Sequence, residues 1–143
     1  MKSFQATAII DAPRSTIWSL LTDAPAYPSW NTTVEQVEGR IAAGESITVR
    51  VRDRAGRSFP VRVTTFAAEE RMVWEGGMPL GLFKGERTFT LAEEAAGVRF
   101  TMRETYTGPL APLVGRSIPD LQPAFEAFAA SLKRAAETSR GSA

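Results

Sequence analysis

The apolar residues of this chain change period once, and that change constrains the fold more than any other feature. Through the middle of the chain they alternate with polar ones. Ile47, Val49 and Val51 alternate with Thr48, Arg50 and Arg52, and Phe59, Val61 and Val63 with Pro60, Arg62 and Thr64. Phe83, Gly85, Arg87, Phe89 and Leu91 fall on one face of a further segment, and Val98, Phe100, Met102, Glu104 and Tyr106 on one face of the next. Alternation of this kind belongs to antiparallel strands with one covered face. Near the C-terminus Leu121, Phe125, Phe128 and Leu132 follow at spacings of four, three and four, which is one stripe on a helix. A helix with one apolar stripe and strands with one apolar face bury both by packing together, so the expectation is α+β.

The remaining segments fit one domain, expected over 1–138, with a polar tail at 139–143. Phe4, Ala6, Ala8 and Ile10 suit an opening strand, stopped by Asp11-Ala12-Pro13. Pro13 suits a first helical turn, where its missing N–H has no partner to lose. Ile17, Trp18, Leu20 and Leu21 then mark a short helix, ended by Asp23-Ala24-Pro25, and Tyr27-Pro28-Ser29-Trp30-Asn31 reads as a tight irregular stretch. Asp53-Arg54-Ala55-Gly56 is a turn signal and Met72 to Glu75 a short strand. Leu110, Leu113, Val114 and Ile118 form an apolar approach to the final helix.

Composition removes several chemistries. With no cysteine and no histidine, disulfides, thiolate nucleophiles, sulfur-ligated metals and His-based acid–base systems are excluded. Neither a metal nor a cofactor is expected. Net charge is +1, with 17 basic and 16 acidic residues interspersed, so no field points to nucleic acid. The opening MKSFQATAIIDAP has no sustained apolar run, and no window approaches the roughly 20 apolar residues of a spanning helix, so a cytoplasmic location is expected.

Several stretches taken in order resemble one superfamily. They are Ile10-Asp11-Ala12-Pro13, Ile17-Trp18, Leu21-Thr22-Asp23 and Tyr27-Pro28-Ser29-Trp30-Asn31. Leu82-Phe83-Lys84-Gly85-Glu86-Arg87-Thr88-Phe89, Glu104-Thr105-Tyr106-Thr107-Gly108 and Leu132-Lys133-Arg134-Ala135-Ala136-Glu137 continue the series. Together they resemble the SRPBCC superfamily, in the bacterial branch of polyketide cyclase/dehydrase and lipid transport proteins. The resemblance implies a helix-grip fold: a seven-stranded curved antiparallel sheet around a long C-terminal helix, two short helices after the first strand, and a cavity between sheet and helix. Many members of the branch carry His after Gly-Glu, where this chain has Arg87. Arginine stays protonated and does not shuttle protons readily, so any His-based catalysis is not carried over.

Arg87 and Glu104 are the sharpest candidates, since each interrupts an apolar face. A register with Leu91 opposite Val98, closed by a Glu93–Ala96 turn, sets Arg87 against Met102 and Glu104 on the diagonal. Opposite charges on a covered face are expected to pair. One reading makes the pair an anchor, Arg87 holding a ligand oxygen and Glu104 orienting it or acting as an acid; the other makes it a salt bridge at a rim. Tyr106 is a third candidate for chemistry. Trp30, Trp74, Met78, Phe83, Phe89, Met102 and Phe125 complete the expected ligand-binding set, each also readable as core. Met78, Leu80, Leu82 and Phe83 make the Gly76–Gly81 loop apolar, as a lid or as packing on the helix. Glu69-Glu70 and Glu93-Glu94 read as turn carboxylates, Arg50, Arg52 and Arg62 as an outer surface, and Gly76-Gly77 as no phosphate loop.

The leading functional expectation is a carrier or sensor of a small hydrophobic or amphipathic molecule such as a lipid, isoprenoid or aromatic polyketide. A polyketide cyclase or dehydratase is the second and a protein-interaction domain the third. A homodimer contact through the Leu110–Ile118 segment is also compatible with the sequence.

Overall fold

The structure, a computed structural model, describes residues 3–52 and 57–141, with backbone alone at 139–141. The Asp53–Gly56 turn lies outside these residues, and the expected polar tail falls on positions whose side chains or whole placement lie outside them. Strand β1 (Ser3–Ile10) leads into helices α1 (Arg14–Thr22) and α2 (Tyr27–Trp30). Strands β2 (Val34–Glu38), β3 (Ser46–Val51), β4 (Ser58–Ala67), β5 (Arg71–Gly77), β6 (Lys84–Glu94) and β7 (Gly97–Thr107) follow. A short helix α3 (Ala111–Val114) precedes the long helix α4 (Gln122–Gly141). The seven strands form one antiparallel sheet in the order β1-β7-β6-β5-β4-β3-β2. This is the expected helix-grip architecture.

Local chemistry accounts for the element boundaries. Pro13 caps α1, accepting from the Thr16 and Ile17 amides, and Asp23 closes the helix. The stretch from Tyr27 to Trp30 is helical where the sequence reads as irregular. Proline occupies its first turn, and the Tyr27 hydroxyl donates to the Leu21 carbonyl at 2.7 Å, fastening α2 beneath α1. Asn31 ends α2 and accepts three bonds at Oδ1, from the amides of Thr33 and Val34 and from the Thr33 hydroxyl.

Strand β2 had no alternating signature because a register shift between Val34 and Gln36 puts Val34 and Val37, three apart, on the same buried side. Phe59 corrects the reading of β4: it remains 44% exposed, while Val63 on the same strand is fully buried. Arg50 and Arg62 are exposed as expected. Arg52 does more, donating to the backbone carbonyls of Pro28 and Asn31.

Helix α4 lies across the inner face with Phe125, Phe128 and Leu132 buried. Its polar side chains also engage the edge strand β1. Gln122 pairs both backbone groups of Gln5, Lys133 donates to the Ile9 carbonyl, and Glu137 accepts from the Asp11 amide. Ser131 bonds the Thr32 hydroxyl at 2.9 Å, tying the same helix to the end of α2.

The centre of the grip is packed. Phe89, Phe100, Met102 and Phe128 are each 1% exposed or less, and the Phe128 ring stands 5.9 Å from Phe89 and 6.3 Å from Phe100. The open volume expected between sheet and helix is displaced here by aromatic side chains, each worth about 1.5–3 kcal/mol on burial.

Candidate functional site

The β6–β7 hairpin carries the sharpest candidate residues, and its register differs from the sequence reading. The connection is two residues, Ala95 and Ala96, between Glu94 and Gly97. Glu93 rather than Leu91 therefore faces Val98, Leu91 faces Phe100, Phe89 faces Met102, and Arg87 faces Glu104 directly. The two-residue slip keeps every side chain on its expected face while converting a diagonal pair into a direct one.

Arg87 Nε donates to Glu104 Oε1 at 3.0 Å, with the two side chains 20% and 15% exposed. The other carboxylate oxygen accepts a short hydrogen bond from the Tyr106 hydroxyl. Burial and the neighbouring Glu104 charge push the Tyr106 phenol well above its ordinary range. The Tyr106 ring lies over Gly85, its cross-strand partner, where a Cβ would stand 3.3 Å from Tyr106 Cε1. Phe83 stacks on the same ring at 5.6 Å and 13°. The Arg87 guanidinium sits 4.7 Å from the centre of the Phe125 ring, a cation–π distance. Phe4 closes this group, 5.7 Å from Phe125 and 6.4 Å from Tyr106.

A second aromatic group lies beside it. Trp74 faces Arg87 on the neighbouring strand and packs on Phe89 at 4.7 Å. Tyr27 sits between Trp30, at 4.9 Å, and Trp74, at 6.3 Å. Its phenol is fully buried and held far above its usual range by desolvation, with the nearby Arg87 charge opposing that shift. Among the described residues, three buried side-chain N–H groups have no partner: Trp30 Nε1, Trp74 Nε1 and Asn31 Nδ2. All three are donors. Burying an unpaired donor costs about 1–3 kcal/mol, so such groups stand out in a folded interior.

An open cleft of about 500 Å³ adjoins the polar end, lined by Glu75, Gly76, Gly77, Met78, Gly81, Phe83, Lys84 and Thr107. Phe83 belongs to both cleft wall and Tyr106 stack, and so separates the cleft from the Arg87–Glu104 pair. The 76–83 loop joins β5 to β6. It is held to the segment after β7, where the Leu110 amide donates to the Leu82 carbonyl at 2.9 Å. Gly108 is required at that junction, since a Cβ there would lie 2.7 Å from the Gly81 and Leu82 carbonyls and φ is 106°. This explains the glycine at the end of the Glu104–Gly108 stretch. A second groove, of about 400 Å³, runs between β1 and α4 past Ala6, Ala8 and Ala129.

The ten expected binding residues thus divide. Arg87, Glu104, Tyr106, Phe125 and Phe83 form one contact group, and Trp30, Trp74 and Phe89 the adjacent one. Met102 is core beneath both, and Met78 is on the cleft rim. Tyr27 and Asn31 were missed because their surroundings read as irregular; the signal available was an aromatic-Pro-x-aromatic-Asn run too dense for a solvated loop. Among the described residues no group of three or more carboxylates could hold a metal ion.

Solved structures share this fold. The protein DynU16 of the dynemicin biosynthetic locus superposes with a TM-score of 0.71 at 19% identity, covering 97% of this chain and 48% of its own. The hypothetical protein jhp0584 from Helicobacter pylori gives 0.76 at 13% identity over 94% and 88% of the two chains. StfQ, a di-domain ARO/CYC from the steffimycin biosynthetic pathway, gives 0.70 at 14% identity over 97% and 52%. The chain thus spans about half the length of DynU16 and StfQ. At these identities the likeness is one of fold. No curated protein matches the chain by sequence. The model of one family does match it, over residues 1–137, and the chain accordingly belongs to the polyketide cyclase/dehydrase and lipid transport family.

Proposed function

We propose that the protein binds a small hydrophobic or amphipathic molecule that carries an acceptor oxygen, a carbonyl or a carboxylate, and acts as its carrier or sensor. The observation that carries this reading is the Arg87–Glu104–Tyr106 group on an otherwise apolar inner face, one aromatic ring away from an open cleft. In this reading the ligand enters past Met78, Phe83 swings off Tyr106, and the oxygen meets the guanidinium. The unpaired Trp74 indole, across the strand from Arg87, adds a donor. A site supplied with donors suits a ligand supplied with acceptors.

The family's name also admits a cyclase or dehydratase. The hydrogen bonding favours the binding role: both oxygens of Glu104 are engaged, by Arg87 and by Tyr106, and the Tyr106 proton is held tightly. A general acid or base needs a group free to exchange a proton with substrate.

Native mass spectrometry of the purified protein, with mass spectrometry of its organic extract, tests the proposal. A co-purifying apolar molecule with a carbonyl or carboxylate is the expected result. A protein empty on isolation that turns over a polyketone substrate contradicts the carrier reading.

A further inference from the structure

The end of α2 holds more hydrogen-bond donors than acceptors. Trp30 Nε1 and Asn31 Nδ2 are buried there without a partner among the described residues, and Trp74 Nε1 is a third such donor. Asn31 is 2% exposed and Trp74 3%. The two indoles flank the Tyr27 ring at 4.9 and 6.3 Å. Acceptors of the same neighbourhood are already engaged. Asn31 Oδ1 takes three bonds, which fixes the carboxamide and leaves Nδ2 as its free end. The Leu21 carbonyl takes the Tyr27 hydroxyl, and the Tyr27 carbonyl takes the Asn31 amide. The Pro28 and Asn31 carbonyls take the Arg52 guanidinium. Buried donors are nearly always paired in folded interiors, so a surplus confined to one place points to a partner supplied from outside the chain.

The chemistry of these donors narrows what that partner is. Trp74 faces Arg87 across the sheet and serves the oxygen proposed there. Trp30 and Asn31 lie across the Tyr27 ring from Trp74, on a different element, and both donors are uncharged. Arg52 is the cation that reaches Asn31, and it is exposed and committed to backbone carbonyls. The pair therefore suits a neutral oxygen rather than a second anion. It also discriminates among neutral oxygens. A hydroxyl set against Trp30 and Asn31 brings a proton of its own, and with the surrounding acceptors engaged that proton is buried unpaired. A ketone, ester or ether oxygen brings lone pairs alone. Trp30 is half-buried although its Nε1 is covered, and its ring meets Phe128 edge-on at 5.9 Å. One flank of the ring is thus open to movement that admits a ligand.

We infer that Trp30 Nε1 and Asn31 Nδ2 form a second subsite, which takes an uncharged, acceptor-only oxygen within the apolar part of the ligand whose head meets Arg87. This subsite presupposes the binding role proposed above. The ligand then runs from Arg87 past Trp74 and Tyr27 to the end of α2, and a plain hydrocarbon chain leaves the second pair of donors unused.

The test is calorimetric titration of the full chain with dodecanoic acid, with oxo-dodecanoic acids carrying the ketone at successive mid-chain positions, and with the matching hydroxy acids. At one position the oxo acid should bind about fivefold to tenfold more tightly than dodecanoic acid, the net gain of neutral hydrogen bonds to buried donors. The hydroxy acid of that position should bind more weakly than the oxo acid. Trp30→Phe keeps an aromatic ring and removes the N–H, so it should abolish most of the preference and keep the affinity for dodecanoic acid. Should that variant lose its fold, the wild-type spectrum decides: the Trp30 indole N–H resonance should move downfield with the oxo acid and not with dodecanoic acid. Dodecanoic acid that binds as tightly as every oxo acid overturns the subsite and leaves the Arg87 anchor standing. An oxo preference that Trp30→Phe retains in full also overturns it. So do hydroxy acids that match the oxo acids, or an indole resonance that the oxo acid does not move. Failure of all the acids to bind overturns the subsite together with the anchor.

Discussion

The two halves of the β6–β7 hairpin share one inner face and one helix above it, yet differ in what they are built for. Toward the turn, Leu91 faces Phe100 and Phe89 faces Met102, all 5% exposed or less, with Phe128 packed on them. Toward the open end, Arg87 faces Glu104 and Gly85 faces Tyr106, with the ion pair still partly reached by water. The first half gains stability from close packing of apolar rings. The second places charges where burial penalises them and compensates with a bonded network that the Phe83 ring separates from a cleft. On the proposed reading, stability and recognition are thus separated along a single hairpin by about two pairs of residues.

That separation can be broken from either side. The largest effect is expected in the packed half: Phe128→Ala should destabilise the protein by about 3–5 kcal/mol, read by denaturant titration. In the polar half, Glu104→Leu should cost about 2–4 kcal/mol, since it strands the Arg87 charge and leaves the Tyr106 hydroxyl unpaired. The double variant Arg87→Met/Glu104→Leu should recover most of that loss. A double variant as unstable as Glu104→Leu would show that the pair is not an energetic unit.

A pH titration sharpens the contrast. Tyr27 and Tyr106 are the two tyrosines of the chain, and both phenols are raised above their ordinary value. A raised folded-state pKa means that the associated stability is complete below about pH 10 and declines as pH rises beyond it, by up to about 1.4 kcal/mol per pH unit per group. Near-ultraviolet absorbance should therefore show little phenolate until the protein unfolds. A tyrosine that titrates near pH 10 in the native state would contradict the burial of its ring. The smallest effect is expected at the 76–83 loop bounding the polar half. Leu80→Asn should stabilise by up to about 1 kcal/mol, because asparagine tolerates the left-handed backbone at that position, φ 61°.

The sequence makes the faces of the strands legible but not their partners. Alternation assigns Arg87 and Glu104 to one face, because side-chain direction has a period of two. Whether they meet depends on the length of the connection, and a two-residue Ala95-Ala96 turn carries no Gly-rich hairpin signal to fix it. The register shift in β2 hid that strand by breaking the same period. Tyr27 was hidden for a different reason: its burial comes from α1, Trp30 and Trp74, contacts between segments that no local pattern encodes. The packed centre was equally invisible, since Phe89, Phe100 and Phe128 are compatible with the lining of a cavity until their separations are known.

The central claim is that Arg87 anchors a ligand oxygen at the polar end of an apolar site. Calorimetric titration with a medium-chain fatty acid and with the alcohol of the same chain length, against wild type and Arg87→Met, tests it most directly. Tighter binding of the acid by about tenfold or more, with that preference lost in Arg87→Met while the alcohol's affinity is kept, is the predicted result. An acid preference that survives in Arg87→Met would contradict the account and leave the ion pair a purely structural one.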